Sequence, residues 1–430
     1  MALFGRKQRS ETTVEPAAPP PAQPSASEPE PIGVDEYRAA LLEGIEPLPP
    51  IGLGVLDAVG RRLCEDIVAD IDLPTFTSAA LDGYAVLAAE VVTAASSRPV
   101  RLPVLDTLDT PAYRGAPLLE RSTVRVSAGA PLPEGADAVV PIAQTDGGEF
   151  YVDVLTPVAT GQHVRPAGSD IADGSLLLER GHLVDSGAAG LLAEVGLDKV
   201  LVRQTPRVAV LTVGADLVAP GLPLTSRTQH YDATTTLISA AARADGAQVF
   251  PAGTFGDDAA VLTEALTDQL IRADLIVVIG GLRGSLPGVL AGLGEMTEHR
   301  VTIHPGGRQA FGRVGDDGTP VIVLPGGAVS AFVGYHAFVR PALWRLKGEP
   351  DLNPDIRTLP ARVALHGRNE ATELIPAIIT DRGAEPAGVP GAELAQDVAR
   401  ADALIVLPPG THLVTANSDI EVWVLTPPRS

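Results

Sequence analysis

The chain lacks the features from which disulfides and membrane spans are built. Its one cysteine, Cys64, cannot form an internal disulfide, which fits a reducing cytoplasm. Its longest apolar runs, such as residues 275–279 and 321–324, are far shorter than the ~20 residues of a membrane helix. The basic residues 1–9 are followed by acidic and proline-rich residues, which argues against an ordinary secretory signal. We therefore expect a cytoplasmic protein.

Positive charge is also scarce. The chain has 32 Lys plus Arg against 53 Asp plus Glu, a formal net charge of −21, and no basic run or aromatic-interleaved patch. Phosphate backbones would be repelled, so we expect no nucleic-acid partner. What the chain has is 45% hydrophobic residues in a length of 430, which is typical of a globular protein with several filled cores.

Residues 1–33 are predicted to be a disordered tail rich in proline and glutamate. From Ser10 onward they consist almost only of Glu, Pro, Ala, Ser, Thr and Gln, which bury too little apolar area to offset the entropy lost on ordering. The tail could be a solubilising leader or, with its basic cluster at Arg6, Lys7 and Arg9, a tether for a partner.

The next part of the chain changes from helical to strand-like patterning. Apolar residues at near-helical spacing predict helices over residues 34–45 and 55–68, with Pro49-Pro50 as a breaker between them. Short β-type pieces separated by Gly, Pro and Asp follow Pro74. They lie at residues 84–87, 124–126, 138–142 and 151–155.

Strand and helix patterns then alternate as far as Leu343. Buried-strand patterns at residues 208–212 and 275–279 are joined by helical patterns at Thr234–Ala244 and 259–272. This alternation predicts a doubly wound α/β domain, whose ligands bind at the carboxyl ends of strands. After Pro350 short strands return, the clearest at residues 403–407 and 420–425.

The predicted fold class is therefore α/β and β, in several domains. The predicted boundaries are a tail at 1–33, a linker domain at 34–72 and 165–205, a β-rich lid domain at 73–164, an α/β domain at 206–348 and a C-terminal β domain at 349–430.

Three glycine-bearing turns follow predicted strands of the α/β domain. They are Val213-Gly-Ala-Asp216, Gly280-Gly-Leu-Arg-Gly284 and Leu324-Pro-Gly-Gly327. Backbone amides at such turns can hold a phosphate, although glycine also closes most turns of this kind for steric reasons alone. Their joint order with His304-Pro-Gly306 in one domain favours an anion-binding site.

Five segments resemble motifs of the molybdopterin molybdenumtransferase family, to which the C-terminal domain of gephyrin also belongs. Residues 73–86 read Leu-Pro-Thr-Phe-Thr-Ser-Ala-Ala-Leu-Asp-Gly-Tyr-Ala-Val and are similar to the family's Leu-Pro-x-Phe-Asp-x-Ser-Ala-Met-Asp-Gly-Tyr-Ala. The other four segments are residues 124–139, 164–171, 206–217 and 399–408. The resemblance covers nearly all of residues 34–430.

The resemblance implies an elongated homodimer whose site lies between the α/β domain of one subunit and the β-rich lid of the other. There the family inserts molybdenum from molybdate into adenylylated molybdopterin, with Mg²⁺, in molybdenum cofactor biosynthesis. Carried over by position, it implies catalytic roles for Asp82, Asp170, Asp216 and Asp257, and Asp82, Asp216 and Asp258 as candidate Mg²⁺ ligands. The implied substrate-binding residues are Arg165, Asp232, Gly280, Gly281, Pro305, Gly306, Arg308, Pro325, Gly326 and Ser330.

The chain departs from the family pattern around the implied site. The family's Gly-Asp-Glu turn is Gly-Ala-Asp at residues 214–216, and the threonine before its Gly-Ala-Pro motif is Ala128. Where the family has Gly-Gly-Val-Ser-x-Gly-Asp-Tyr-Asp, residues 280–288 read Gly-Gly-Leu-Arg-Gly-Ser-Leu-Pro-Gly, without either aspartate. Two anion-binding lysines are also absent, and Arg283 and Arg308 are their candidate replacements.

These departures leave different functions open. One is an active transferase, and another is a catalytically inactive, gephyrin-like dimeric scaffold, a degenerate paralogue that binds a short peptide tail of a cell-division or membrane partner. A third is a substrate-binding regulator without turnover. The retained aspartates also have structural alternatives, since Asp82 could cap its Gly-Tyr turn and the Asp257-Asp258 pair could begin the helix near Ala259.

Overall fold

The computed structural model describes residues 30–108, 117–389, 391–392 and 394–425. Most of the predicted disordered tail, residues 1–29, lies outside these residues. The end of the predicted tail is not disordered, because Pro31–Ile32 forms a strand that pairs in parallel with Arg300 and Val301. Within the described ranges, no helix is both long and apolar enough to cross a membrane.

Helices occur in every part of the described chain. The α-helices are α1 (Val34–Glu43), α2 (Ala88–Val91), α3 (Ser186–Glu194), α4 (Thr234–Ala244), α5 (Ala259–Leu270), α6 (Leu286–Leu293), α7 (Ala328–Gly334), α8 (Arg340–Lys347) and α9 (Ala395–Arg400). A 3₁₀ turn occupies Ile142–Gln144, and a π-helical turn at Tyr335–Val339 joins α7 to α8 without a break.

The strands are mostly short. They are β1 (Pro31–Ile32), β2 (Pro50–Gly54), β3 (Ile67–Val68), β4 (Ser78–Ala79), β5 (Gly83–Val86), β6 (Val100–Leu108), β7 (Thr123–Val126), β8 (Ala138–Pro141), β9 (Tyr151–Val154), β10 (Val164–Arg165), β11 (Leu176–Leu178), β12 (Lys199–Arg203), β13 (Arg207–Val213), β14 (Leu217–Val218), β15 (His230–Tyr231), β16 (Gln248–Phe255), β17 (Leu275–Gly280), β18 (Gly294–Val301), β19 (Ile303–His304), β20 (Arg308–Val314), β21 (Thr319–Leu324), β22 (Asp355–Pro360), β23 (Thr372–Thr380), β24 (Gly383–Pro386), β25 (Ala403–Leu407) and β26 (Asp419–Val424).

The seven-stranded sheet, which we call the central sheet, carries the α/β part of the chain. Its strand order is β1-β18-β20-β21-β17-β13-β16, and the strands from β21 to β16 run parallel. Alternate residues of β13 enter opposite cores, since Val208 and Val210 pack on the side of α1, α4 and α7, and Ala209 and Leu211 on the side of α5 and α6. Helices on both faces confirm the predicted doubly wound architecture.

The central sheet also contains elements that the sequence did not predict there. β18 and β20 form an antiparallel pair beside β21, so the sheet is mixed. β18 was not predicted because polar residues such as Glu295 and Thr297 interrupt the apolar pattern that indicates a strand. Helix α1, predicted within the linker domain, instead packs against the core of this sheet through Tyr37 and Leu41.

A five-stranded sheet, which we call the lid sheet, has the order β8-β5-β7-β6-β9. Four of its strands, β5, β7, β8 and β9, are the predicted β-type pieces, which are thereby confirmed. One face of the sheet buries Tyr84 and Val140, and the other buries Ala85 and Val139. Both faces are therefore covered by apolar side chains.

Strands β2, β3, β11 and β12 enclose a separate core with helix α3, which we call the linker cluster. The helix predicted over residues 55–68 is wrong. Gly60 in its middle has a φ of +82°, outside the right-handed helical region. The amides of Leu63 and Cys64 donate to the carbonyls of His182 and Leu201, so the second half of this segment pairs with distant residues and does not form helical turns.

The last part of the chain forms a sheet of order β19-β23-β25-β26-β22, with β24 also paired to β23. The predicted strands at residues 403–407 and 420–425 are its β25 and β26. Leu374, Leu404 and Trp423 from one face of this sheet belong to the same core as α1 and α4. The C-terminal sheet therefore packs against the α/β part of the chain.

Candidate active site

A cleft of about 550 Å³ lies where three parallel strands of the central sheet end. Its walls are residues 213–215 at the end of β13, residues 280–284 at the end of β17 and residues 324–326 at the end of β21, together with Asp257 and Arg308. β13 has β16 on one side and β17 on the other, so the chain reverses its direction across the sheet here. Ligands of doubly wound sheets bind at such a point. We call it the strand-end cleft.

Glycine is required at the turn after β17. Gly280 and Gly281 have φ angles of +84° and +79°. A Cβ atom on Gly280 would lie 2.5 Å from the carbonyl oxygen of Val213, and one on Gly281 would lie 2.8 Å from Leu286 Cδ2. The turn therefore brings the backbones of two strand ends closer together than any side chain would permit.

Asp257 is the predicted catalytic residue that lines this cleft. Its Oδ1 accepts hydrogen bonds from the backbone amide and the hydroxyl of Ser285, each at 2.7 Å. These bonds, the backbone bond first, hold the pKa of the Asp257 carboxyl below its ordinary value. A Cβ atom on Gly284 would lie 2.3 Å from either carboxylate oxygen, so glycine is needed beside it. The structure thus fixes an ionised carboxylate at the cleft wall.

Asp258, a predicted metal ligand, is the N-cap of α5. Its Oδ1 accepts hydrogen bonds from the amides of Ala260 and Val261, both at 3.0 Å. These amides have no partner within the helix, so the carboxylate satisfies them. The capping alternative is therefore confirmed for Asp258 and not for Asp257.

Asp232, predicted to bind substrate, is 1% exposed and does not line the strand-end cleft. It accepts five hydrogen bonds from the amides and hydroxyls of Thr234 and Thr235 and the hydroxyl of Thr254. Burial raises the pKa of Asp232, but these hydrogen bonds outweigh it, so the pKa lies below its ordinary value. Asp232 thus joins the start of α4 to β16.

Two arginines bring positive charge to the strand-end cleft. Arg283 and Arg308 line it and also line an adjoining cleft of about 850 Å³, the arginine cleft, which reaches Pro31 and Glu370. Arg308 forms an ion pair with Glu298. Because Arg283 and Arg308 line both clefts, a ligand that spans the two clefts lies beside both residues.

Four predicted substrate-binding residues meet beside the end of β21. The His304-Pro305 peptide is cis, and the next residue, Gly306, has a φ of +98°. A Cβ atom on Gly306 would lie 3.2 Å from both Pro325 Cγ and Ser330 Cβ. Gln309, which is fully buried, donates from Nε2 to the Gly306 carbonyl at 2.9 Å. The sequence did not point to Gln309, whose partner depends on the shape of the Gly306 turn.

The other predicted residues do not line the strand-end cleft of the same chain. Asp82 is exposed, and its Oδ1 accepts a hydrogen bond from the Ala128 amide at 2.8 Å, which joins two turns of the lid. Arg165 forms a half-exposed ion pair with Asp170. Asp216 is exposed one residue beyond the cleft wall. Asp82 follows β4 and Asp170 follows β10, two strands that pair with each other. The structure therefore separates the predicted site into a cleft part and the region around this strand pair, which we call the lid part.

Three family models match the chain in order. "MoeA N-terminal region (domain I and II)" matches residues 32–196, "Probable molybdopterin binding domain" matches residues 209–345, and "MoeA C-terminal region (domain IV)" matches residues 358–425. Molybdopterin molybdenumtransferase 2 of Mycobacterium tuberculosis is 33% identical over 407 residues, 91% of this chain and 99% of that protein. The chain belongs to the molybdopterin molybdenumtransferase (MoeA) family.

Two further comparisons agree. Molybdopterin molybdenumtransferase 1 of Mycobacterium tuberculosis is 34% identical over 426 residues, which cover 91% of this chain and 98% of that protein. The crystal structure of the molybdopterin biosynthesis moea protein from Pyrococcus horikosii matches with a TM-score of 0.84 and 26% identity, and covers 93% of this chain and 100% of that one. The resemblance drawn from the five motifs and the predicted fold class are thereby confirmed.

The turn after Gly281 shows how this chain departs from the MoeA motif. Leu286 stands where that motif has its first aspartate, is fully buried and packs with Leu262 and Leu290. The sequence reveals the loss of the aspartate but not the burial of its replacement. The departure therefore replaces a polar group by an apolar contact that anchors the turn to the core.

The carboxylates of one chain do not fit the Mg²⁺ that the family implies. Among residues 30–108, 117–389, 391–392 and 394–425, no three His, Cys, Asp or Glu side chains are grouped as a metal site. Of the candidate ligands, Asp258 caps a helix, and Asp82 and Asp216 do not line the strand-end cleft.

Proposed function

We propose that this MoeA-family protein binds adenylylated molybdopterin in the strand-end cleft and inserts molybdenum from molybdate into it. The position of the cleft carries the proposal, because glycine turns, Asp257 and two arginines meet at the carboxyl ends of β13, β17 and β21. The names of the relatives at 33% and 34% identity, both molybdopterin molybdenumtransferases, supply the reaction.

The cleft suits the phosphate groups of this substrate. Helix α7 begins at Ala328, two residues beyond the cleft wall, and its first intrahelical bond runs from the Ala331 amide to the Gly327 carbonyl. The preceding amides have no acceptor within the helix, and the positive end of the helix dipole lies beside them. Arg283 and Arg308 add two permanent charges, so the cleft favours an anion.

The reaction that we propose releases AMP. Water attacks the phosphoanhydride that links AMP to molybdopterin, and the bond to AMP breaks, which leaves AMP and the molybdopterin phosphate. The two dithiolene thiols then bind the molybdenum of molybdate, and one oxygen of molybdate leaves as water with the two thiol protons. Among the predicted catalytic residues, Asp257 is the one on the cleft wall, and its lowered pKa keeps it ionised, so that it can accept a hydrogen bond from that water and orient it.

We further propose that a second copy of the chain completes the site. Asp82 and Asp170 do not line the cleft of their own chain. In this arrangement, the lid part of another subunit brings the same two carboxylates to the cleft. The linker cluster exposes apolar side chains on its surface, which is typical of an interaction face. These side chains are Ile51, Leu56, Val68, Leu176 and Leu201.

A second candidate is binding of the same ligand without turnover. It is favoured by the buried Leu286 in place of an aspartate and by the two Ser285 hydrogen bonds that already engage Asp257. The peptide-binding scaffold, the cytoplasmic location and the use of Mg²⁺ stay predictions.

The test is incubation of purified protein with adenylylated molybdopterin and molybdate. We expect AMP release together with a cofactor that activates a metal-free molybdoenzyme. Binding of the adenylylated pterin without AMP release would favour the second candidate. If the protein neither binds the adenylylated pterin nor releases AMP, both candidate functions are contradicted.

A further inference from the structure

The strand-end cleft carries more positive than negative side chains. Its charged wall residues are Arg283, Arg308 and Asp257. Mg²⁺ in phosphate-binding sites is held by one or two carboxylates together with the phosphates, in near-ideal octahedral geometry. In this cleft, the Asp257 carboxylate already accepts two hydrogen bonds from Ser285. Glu298, which lines the adjoining arginine cleft, pairs with Arg308, and Glu370 of the same cleft is exposed. Two of the three carboxylates that line the two clefts are therefore already engaged within the chain.

The turn that carries Arg283 is anchored to the core on both sides of this residue. Leu282 and Leu286, on either side of Arg283, are 9% and 0% exposed and belong to the core between the central sheet, α5 and α6. Gly281 cannot accept a side chain without contact with Leu286. Arg283 itself is exposed. Two buried leucines thus fix the backbone while the guanidinium group faces the two clefts that it lines.

We infer that this chain binds the phosphate group of its ligand directly through Arg283 and Arg308, without a bridging Mg²⁺. Guanidinium groups bind phosphate oxygens through two parallel hydrogen bonds and keep their charge at every physiological pH. Because both arginines line both clefts, the phosphate lies at the junction of the strand-end cleft and the arginine cleft. The identity of the ligand, adenylylated molybdopterin, rests on the proposed function.

The test is calorimetric titration of the full chain with adenylylated molybdopterin, in excess EDTA and in excess Mg²⁺. We expect the same Kd in both solutions. Arg283→Ala and Arg308→Ala should each weaken binding by about tenfold or more, since each removes hydrogen bonds to a charged group. Arg283→Lys should recover only part of the loss, because an ammonium group lacks the planar pair of donors.

Arg243→Ala is the matched control. Arg243 is an exposed arginine of α4 and lines neither cleft, so its removal changes net charge equally and should leave the Kd unchanged. Thermal unfolding of each variant checks that it folds. If an alanine variant does not fold, Arg283→Lys still tests the inference.

The outcomes separate this inference from the proposed function. Binding that requires Mg²⁺ would overturn the inference and leave the proposed function intact. Binding in EDTA that neither arginine variant weakens would also overturn the inference alone. Absence of binding in both solutions would overturn the proposed function and the inference together.

Discussion

The aspartates near the strand-end cleft differ from those of the lid in their burial and in the number of hydrogen bonds that they accept. Asp232 and Asp258 accept two or more hydrogen bonds from their own chain, and Asp232 is buried. Asp82 is exposed and accepts one amide, and Asp170 is half-exposed in an ion pair with Arg165. Folding alone accounts for the first two residues. It accounts poorly for the lid pair, which leaves these carboxylates available for chemistry.

The two regions are also complementary in charge. The cleft contributes Arg283, Arg308 and Asp257, and the lid part contributes Asp82 and the ion pair between Asp170 and Arg165. A substrate phosphate needs the cations, and activation of water needs a base. Neither region alone supplies as many cations and carboxylates as the family motif implies. Two copies of the chain would combine them.

The largest effect is expected where an aspartate is structural. Asp232→Ala should lower the free energy of unfolding by about 3 kcal/mol or more, because buried threonine hydroxyls and amides lose their common acceptor. Asp216→Ala, at an exposed position, should stay within about 0.5 kcal/mol of the wild type. Urea unfolding of both variants checks this, and equal losses would erase the distinction between structural and available aspartates.

Asp232 should also make the free energy of unfolding depend on pH. The folded-state pKa of Asp232 lies below the ordinary value of 3.8, so its contribution is fully present above the unfolded-state pKa. It is lost as the pH falls through the lower, folded-state pKa. The stability difference between wild type and Asp232→Ala should therefore be constant near neutral pH and shrink below about pH 4. A difference that grows on acidification would contradict the lowered pKa.

The next effect concerns the shape of the cleft. Gly280→Ala should destabilise the fold by about 1–3 kcal/mol from the positive φ alone, with a further cost from the contact with the Val213 carbonyl. Gly288→Ala, in helix α6 with open space around its Cβ, should instead stabilise by up to about 1 kcal/mol. Thermal unfolding of the pair measures this. Similar behaviour of both variants would mean that the turn is more tolerant than its geometry indicates.

The lid should respond in the opposite way, with a small change in stability and a large one in activity. Asp82→Ala removes one exposed hydrogen bond, so the free energy of unfolding should fall by about 1 kcal/mol or less. AMP release should fall by about a hundredfold or more if Asp82 acts in proton transfer. Ligand binding in EDTA should be unchanged. Full activity of this variant would make Asp82 a structural residue like Asp258.

The smallest effect is local. Ser285→Ala removes the hydroxyl bond to Asp257 and keeps the backbone bond, so the pKa of Asp257 should rise part of the way toward its ordinary value. Carboxyl-detected NMR titration of wild type and variant measures the shift. An unchanged pKa would show that the backbone amide alone fixes this carboxylate.

The sequence could predict elements whose signals are local. Helix Thr234–Ala244 was predicted with its observed bounds, because its periodicity ends at Gly246, which adopts a φ of +86°. The end of β17 at a glycine pair was equally clear. Asp258 as a helix cap follows from its place one residue before α5.

Features that depend on partners far apart in the chain could not be predicted from the sequence. The apolar residues of 55–68 fit a helix, but their backbone pairs with residues more than a hundred positions later. The bond from Ser285 to Asp257 spans 28 residues, and the burial of Asp232 depends on Thr254. Local pattern cannot reveal which retained aspartate already holds hydrogen bonds within the fold, so the roles of the site residues stay predictions.

Mixed dimers test most directly whether lid and cleft from different subunits form one site. Co-expressed subunits, one with Asp82→Ala and the other with Arg283→Glu, would be purified by separate tags and assayed for AMP release. In a shared site, one of the two sites in each mixed dimer combines an intact cleft with an intact lid. We predict about half of the wild-type activity, although each variant alone is inactive. Mixed dimers as inactive as the parent variants would contradict the shared site.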